Sequence, residues 1–148
     1  MILLLAAPFL AAAFLHDRWQ RMRLRRAFLA RWAASGKDLL LVYSNSPHWK
    51  AYIESNWLPA LEARAVVLNW SERTSWPNRY PLEGAVFRRW AGDTEFNPIA
   101  IIFPARGTVQ VIRFWRAFRE YTHGRGGPLR EAERQFADTL GLPLPVGA

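Results

Sequence analysis

Three short runs of large apolar residues, Leu39–Tyr43 (LLLVY), Ala65–Trp70 (AVVLNW) and Ile99–Phe103 (IAIIF), constrain the fold more than any other feature. None alternates apolar with polar residues, so none reads as a strand with one wet face. Each has strand length, and continuous apolar strands are the kind covered on both sides. Helices must therefore stand on both faces of one sheet, and the segments between the runs supply them.

After the first run, Ser46 is placed to cap a helix and Pro47 to open its first turn. Trp49, Tyr52, Ile53, Trp57 and Leu61 then recur at helical spacing, with Pro59 predicting a kink or early end. The stretch SERTSWPNRYPLEG reads as a polar loop. LEGAVFRRW reads as a short helix with Leu82, Val86 and Trp90 on one face, ended by Gly92. Pro98 leads directly into the third run. PARG then makes a tight turn into a fourth strand, Val109–Phe114, so these two form a hairpin. Beyond the HGRGG connector, a last helix opens at Pro128 and shows Leu129, Ala132, Phe136 and Leu140 on one face. It stops at Gly141, with Pro143 beyond. The predicted order is β-α-β-α-β-β-α. A right-handed crossover makes the first two strands parallel neighbours, and the hairpin adds antiparallel strands.

The chain has 148 residues, enough for one compact domain plus an appendage. It contains no cysteine, which excludes disulfides, thiolate metal sites and thiol catalysis. Its net charge of +8 is concentrated at one end. Residues 1–37 carry seven bases and one acid, or +6, whereas residues 38–148 carry thirteen bases and eleven acids, or +2. The nearly neutral body argues against a broad nucleic-acid-binding face there. The expected organisation is an N-terminal appendage over 1–37 and a domain over 38–148, with Ser35-Gly36 as the break.

The appendage begins MILLLAAPFLAAAFL, fifteen apolar or small residues followed by six arginines: Arg18, Arg21, Arg23, Arg25, Arg26 and Arg31. As a helix the run is about 22 Å long, short of a hydrocarbon core of roughly 30 Å, but snorkelling arginines and Trp19 at headgroup level would narrow the gap. No base precedes the run, unlike a signal peptide. The expectation is a transmembrane anchor in a bacterial inner membrane, the arginines on membrane lipid and the body cytoplasmic by the positive-inside rule. A signal peptide with a periplasmic body is the alternative. A nucleic-acid-binding arm is a further reading of the same arginines.

The strand order and two local patterns resemble the thioredoxin-like superfamily. NPIAIIFPARGTV is similar to that family's cis-proline, strand, glycine turn and second strand. LLLVYSNSPHWK is similar to its first strand and active-site loop. The resemblance spans roughly 38–140 and implies that Pro98 is cis and lies beside the loop of Ser44, Asn45, Ser46, Pro47, His48 and Trp49. The family's Cys-x-x-Cys is absent from that loop. Disulfide exchange needs a thiolate, so thiol oxidoreductase activity is excluded.

Candidate partner- or ligand-binding residues are therefore Ser44, Asn45, Ser46, His48, Trp49, Asn97 and Pro98. No cofactor, metal site or catalytic constellation is expected, since His16, His48 and His123 show no paired spacing. The RFWRAFREY stretch reads as aromatics sealing the core between solvated arginines. The functional expectation is a membrane-anchored, non-redox binding or assembly protein with a protein partner. Resemblance to the glutathione transferases, which share this fold in one domain, supplies an enzymatic alternative in which Ser44 or Ser46 orients a thiolate and Pro98 supports the peptide. The all-helical second domain of those enzymes is absent from this chain.

Overall fold

The computed structural model describes residues 2–92 and 97–142, without the side chains of residues 2–8. The expected Pro143 stop lies outside the described residues. The chain forms α1 (Ile2–Trp32), β1 (Leu39–Tyr43), α2 (Lys50–Asn56), α3 (Leu58–Leu61) and β2 (Ala65–Asn69). After them come α4 (Trp76–Arg79), α5 (Pro81–Ala91), β3 (Ile99–Ile102), β4 (Gln110–Arg113), α6 (Trp115–Thr122) and α7 (Gly127–Leu140). It is an α/β protein with one mixed four-stranded sheet.

The sheet order is β2-β1-β3-β4. β1 pairs parallel with β2, Leu39 opposite Ala65 and Tyr43 opposite Asn69. β1 pairs antiparallel with β3, Val42 opposite Ile99, and β3 pairs antiparallel with β4. All residues of β1 and β3 are buried, as continuous apolar strands require. Their side chains alternate between two cores. One face receives Leu39, Leu41, Ala100 and Ile102, which meet Ile53 of α2, Trp57 at the α2–α3 break, Phe118 of α6 and Leu129 and Phe136 of α7. The other receives Leu40, Val42, Ile99 and Ile101, which meet Phe28 of α1 and Val86 and Phe87 of α5. The Arg64 guanidinium donates to both oxygens of Asp38, at 3.0 and 2.6 Å, and also to the Leu140 carbonyl. It thereby ties the starts of β1 and β2 to the end of α7.

Pro59 and Pro128 act where expected, and two further prolines open helices. Pro59 follows the break between α2 and α3 at Trp57. In the stretch read as a loop, Pro77 and Pro81 each stand in the first turn of a helix, α4 and α5. Asn69 precedes them with a side-chain cap, its Oδ1 accepting from Ser71 N at 2.9 Å, and the chain enters a 3₁₀ turn over Trp70–Ser75. Two turn signals thus stood for two helix starts. The sequence reading also omitted α6. Its helical signal, Phe114 and Phe118 one turn apart with Ala117 between, merges with the apolar end of β4.

The expected transmembrane anchor is corrected. Among the described residues no helix is long and apolar enough to cross a membrane. α1 is long, but its apolar run ends at Leu15 and the rest of the helix packs against the domain. Phe28 is fully buried and stacks on Phe103 at 4.4 Å. Arg25 donates to the carbonyls of Pro104 and Gly107, at 2.7 and 2.8 Å, in the β3–β4 turn. Asp17 pairs with Arg21 and with Arg89 of α5. Arg31 pairs with Glu83 at 3.5 Å. Arg21, Arg25 and Arg31 are thus engaged by the protein itself, and the spanning-helix reading is withdrawn. Phe9, Leu10, Phe14 and Leu15, outward of these contacts, are exposed.

Candidate functional site

The carboxyl end of β1 gathers the loop residues named from the sequence. In open α/β sheets such strand ends form the usual ligand crevice. The antiparallel register with β3 ends at Val42–Ile99, so Asn97 and Pro98 enter β3 at the same end of the sheet at which β1 gives way to the loop. On the other side, β2 delivers Asn69 beside Tyr43. The Asn97–Pro98 bond is cis, and the Pro98 carbonyl accepts from Phe114 N at 2.9 Å. Asn97 and Pro98 are buried, so they shape the floor of this end of the sheet.

The 44–49 loop is held by its own side chains. Ser44 Oγ accepts from the Trp49 indole N–H at 3.2 Å. Asn45 N donates to Ser71 Oγ at 3.0 Å, and Asn45 Oδ1 accepts from Asn69 Nδ2 at 2.9 Å. Ser46 caps a turn ahead of α2: its Oγ accepts from His48 N at 3.3 Å and its carbonyl from Lys50 N at 3.0 Å. The helix itself starts at Lys50, later than Pro47 suggested. Ser44 and Ser46 therefore both accept bonds that organise the loop. His48 is exposed, and Trp49 is half-buried with its ring tilted on Phe118 at 6.2 Å.

His48 and Trp49 line a cleft of about 300 Å³ with Trp115, Arg119, Thr122 and His123 of the α6 segment. Sequence reasoning missed the last four as site residues, because the helix that brings them to the loop was not recognised. The Arg119 guanidinium lies over the Trp115 ring, 4.9 Å from its centroid. The next residue, Glu120, is held below the usual carboxylate range by the hydrogen bond from Arg125, with Arg116 and Arg119 adding to the effect. The cleft thus presents two imidazoles, two indole rings and a guanidinium whose neighbour in sequence, Glu120, is bonded to Arg125. Such a surface suits an aromatic or acidic partner side chain. Among the described residues no group of three or more histidines and acids converges in a metal-ligating set.

Tyr43 closes the core beneath the loop. Its hydroxyl bonds Glu54 Oε1 at 3.1 Å, and burial, reinforced by that carboxylate, pushes its pKa up to about 12. Of the six arginines named for the basic cluster, Arg21, Arg25 and Arg31 have the partners given above. Arg23 lies over the Trp19 ring at 5.6 Å, and Arg18 and Arg26 are exposed. None of the six lines the cleft at the loop.

No protein-family model, curated protein or solved structure matches the chain.

Proposed function

We propose that this chain is a thioredoxin-like domain without thiols that works by binding a protein partner at the carboxyl end of β1. The sheet order carries the reading: a central β1 with a parallel neighbour on one side, an antiparallel β3–β4 hairpin on the other, and helices over both faces. The thioredoxin-like arrangement places its working loop after the first strand, and here that loop is tied by side-chain hydrogen bonds, aromatic and free of cysteine. The partner surface consists of His48, Trp49, Trp115 and Arg119 around the cleft, supported from below by Ser44, Asn45 and the buried Asn97–Pro98 pair. Tryptophan and arginine at one cleft are the residue types that dominate binding energy at protein interfaces.

The test is affinity capture with the full-length tagged chain, comparing wild type with Trp49→Ala and Arg119→Ala. A specific partner held by wild type and lost from both variants supports the reading. Retention by both variants, with circular dichroism showing all three proteins folded, places the interface elsewhere.

A further inference from the structure

A second cleft lies away from the loop, between α1 and α5. It has a volume of about 490 Å³ and is lined by Gln20, Arg23 and Leu24 of α1 and by Leu82, Arg88 and Arg89 of α5, with two alanines completing the floor. Three guanidinium groups therefore meet at one cavity. The acids of the two helices are both accounted for. Asp17, the sole acid of α1, is shared between Arg21 and Arg89. Glu83, the sole acid of α5, is fully buried and takes the Trp32 indole N–H and the Arg31 guanidinium.

The cleft is left with a surplus of positive charge. Arg23 and Arg88 have no ion pair among the described residues, and Arg88 is exposed at the rim. Arg89 is engaged by Asp17 on one side, yet its Nε–H is buried with no acceptor. A buried donor left unpaired is costly, so the protein does not itself satisfy every polar group of the arginine on this wall. The floor of Leu24, Leu82 and the alanines is apolar, so the charge is confined to the rim and one wall, where surrounding low-dielectric surface strengthens it.

We infer that this cleft binds a phosphate group, with Arg23, Arg88 and Arg89 as its donors. Forked guanidinium donors match the tetrahedral oxygens of phosphate, and three of them around one cavity with a single, already shared carboxylate select a multiply charged anion. The apolar floor leaves room for the organic body that carries the phosphate. That group comes either from a free phosphate-bearing small molecule or from the phosphodiester backbone of a nucleic acid. The site does not depend on the partner surface at β1, which none of its residues touches.

The test titrates inorganic pyrophosphate and, separately, a short oligothymidylate into the full-length chain at low, constant ionic strength. Binding is read by calorimetry and by the NMR signals of the arginine Nε–H groups. The variants are Arg23→Gln with Arg88→Gln, both exposed positions, and Arg134→Gln on α7 as a charge-matched control. The expected result is saturable binding that moves the Arg89 Nε–H resonance. Affinity should fall about tenfold or more for each arginine removed and stay unchanged in the control. Pyrophosphate binding assigns a free phosphate compound, and oligothymidylate binding without it assigns a phosphodiester backbone. Absence of saturable binding by both, or binding that survives the double substitution or falls equally in the control, overturns the inference. Unchanged melting of the unliganded variants establishes that the loss is one of binding.

Discussion

On one face of the sheet Glu133 of α7 is fully buried, and its Oε1 accepts from Tyr52 Oη and from the Trp57 indole N–H, each at 2.8 Å. On the other face Glu83 of α5 is equally buried, and its Oε1 accepts from the Trp32 indole N–H at 2.7 Å, with Arg31 at 3.5 Å. The two faces use one device, a carboxylate fixed by tryptophan, and differ in what completes it. The α7 face uses neutral donors inside an aromatic cluster of Trp57, Phe114, Phe118 and Phe136. The α1 face uses a cation that is about half exposed. Buried polar groups need partners wherever they lie, but only the second face ties its partner to solvent and salt. The α7 face behaves as interior. The α1 face is a docked helix, with the phosphate cleft along its seam.

The largest effects should come from the residue that unites packing and polarity on the sealed face. Trp57→Ala removes the centre of the aromatic cluster and one of the two donors to Glu133, so a loss of about 4–5 kcal/mol in urea unfolding is expected. On the α1 face Phe28→Ala should cost less, about 3 kcal/mol, because part of its cavity can close by movement of α1. Equal losses would break the distinction between a sealed core and a docked helix.

The carboxylates sharpen it. Glu133→Ala and Glu83→Ala should each cost about 2–3 kcal/mol by leaving buried indole donors unmet. Their salt dependence should differ. The Glu83 loss shrinks between low salt and about 0.5 M, where the Debye length falls well below 10 Å, while the Glu133 loss holds. Identical salt responses would show that Arg31 contributes nothing to the α1 face.

The same contrast explains what was legible in the sequence. Runs such as Leu39–Tyr43 announce themselves because burial on both faces demands unbroken hydrophobicity. They carried the sheet, the parallel and antiparallel pairings and the helices packed on them. The first-loop residues were legible from the strand–turn–helix pattern. The cleft was not. Trp115 and Arg119 sit on, and His123 directly follows, a helix that is separated from β4 by Phe114 alone, so the change of period from two to 3.6 is hidden. The reading of α1 failed for a related reason. Apolar length and arginine count describe a membrane anchor and a docked helix equally well. The difference lies in contacts such as Arg25 with the Pro104 and Gly107 carbonyls, which are 79 and 82 residues away in sequence.

A smaller effect is expected at the open edge of the sheet. β2 is an edge strand, and Lys37 Nζ donates to the Ala65 and Glu62 carbonyls, at 2.6 and 2.9 Å, while the Trp76 indole N–H donates to the Asn69 carbonyl at 3.2 Å. Both block pairing by another strand along an edge where Val67 is exposed. Lys37→Ala should cost about 1 kcal/mol and promote concentration-dependent association in sedimentation. A variant that stays monomeric would show that Trp76 guards the edge alone.

The smallest effect concerns pH. Folded Tyr43 ionises only near 12, whereas an unfolded tyrosine does so near 10. Its contribution is intact below about pH 10 and is lost as pH rises toward 12. Tyr43→Phe should lower stability slightly at neutral pH, through the lost bond to Glu54, and flatten the alkaline decline. An unchanged alkaline limb would place that decline in other groups.

The most direct test of the binding face is photocrosslinking in cells. A benzoylphenylalanine is placed at position 48 in the cleft and, in a separate chain, at position 134 on the solvent side of α7. The account predicts one discrete protein adduct from position 48, absent from position 134 and abolished when Trp49→Ala is added. An adduct from position 134 alone, or one from position 48 that persists with Trp49→Ala, would contradict a partner surface at the carboxyl end of β1.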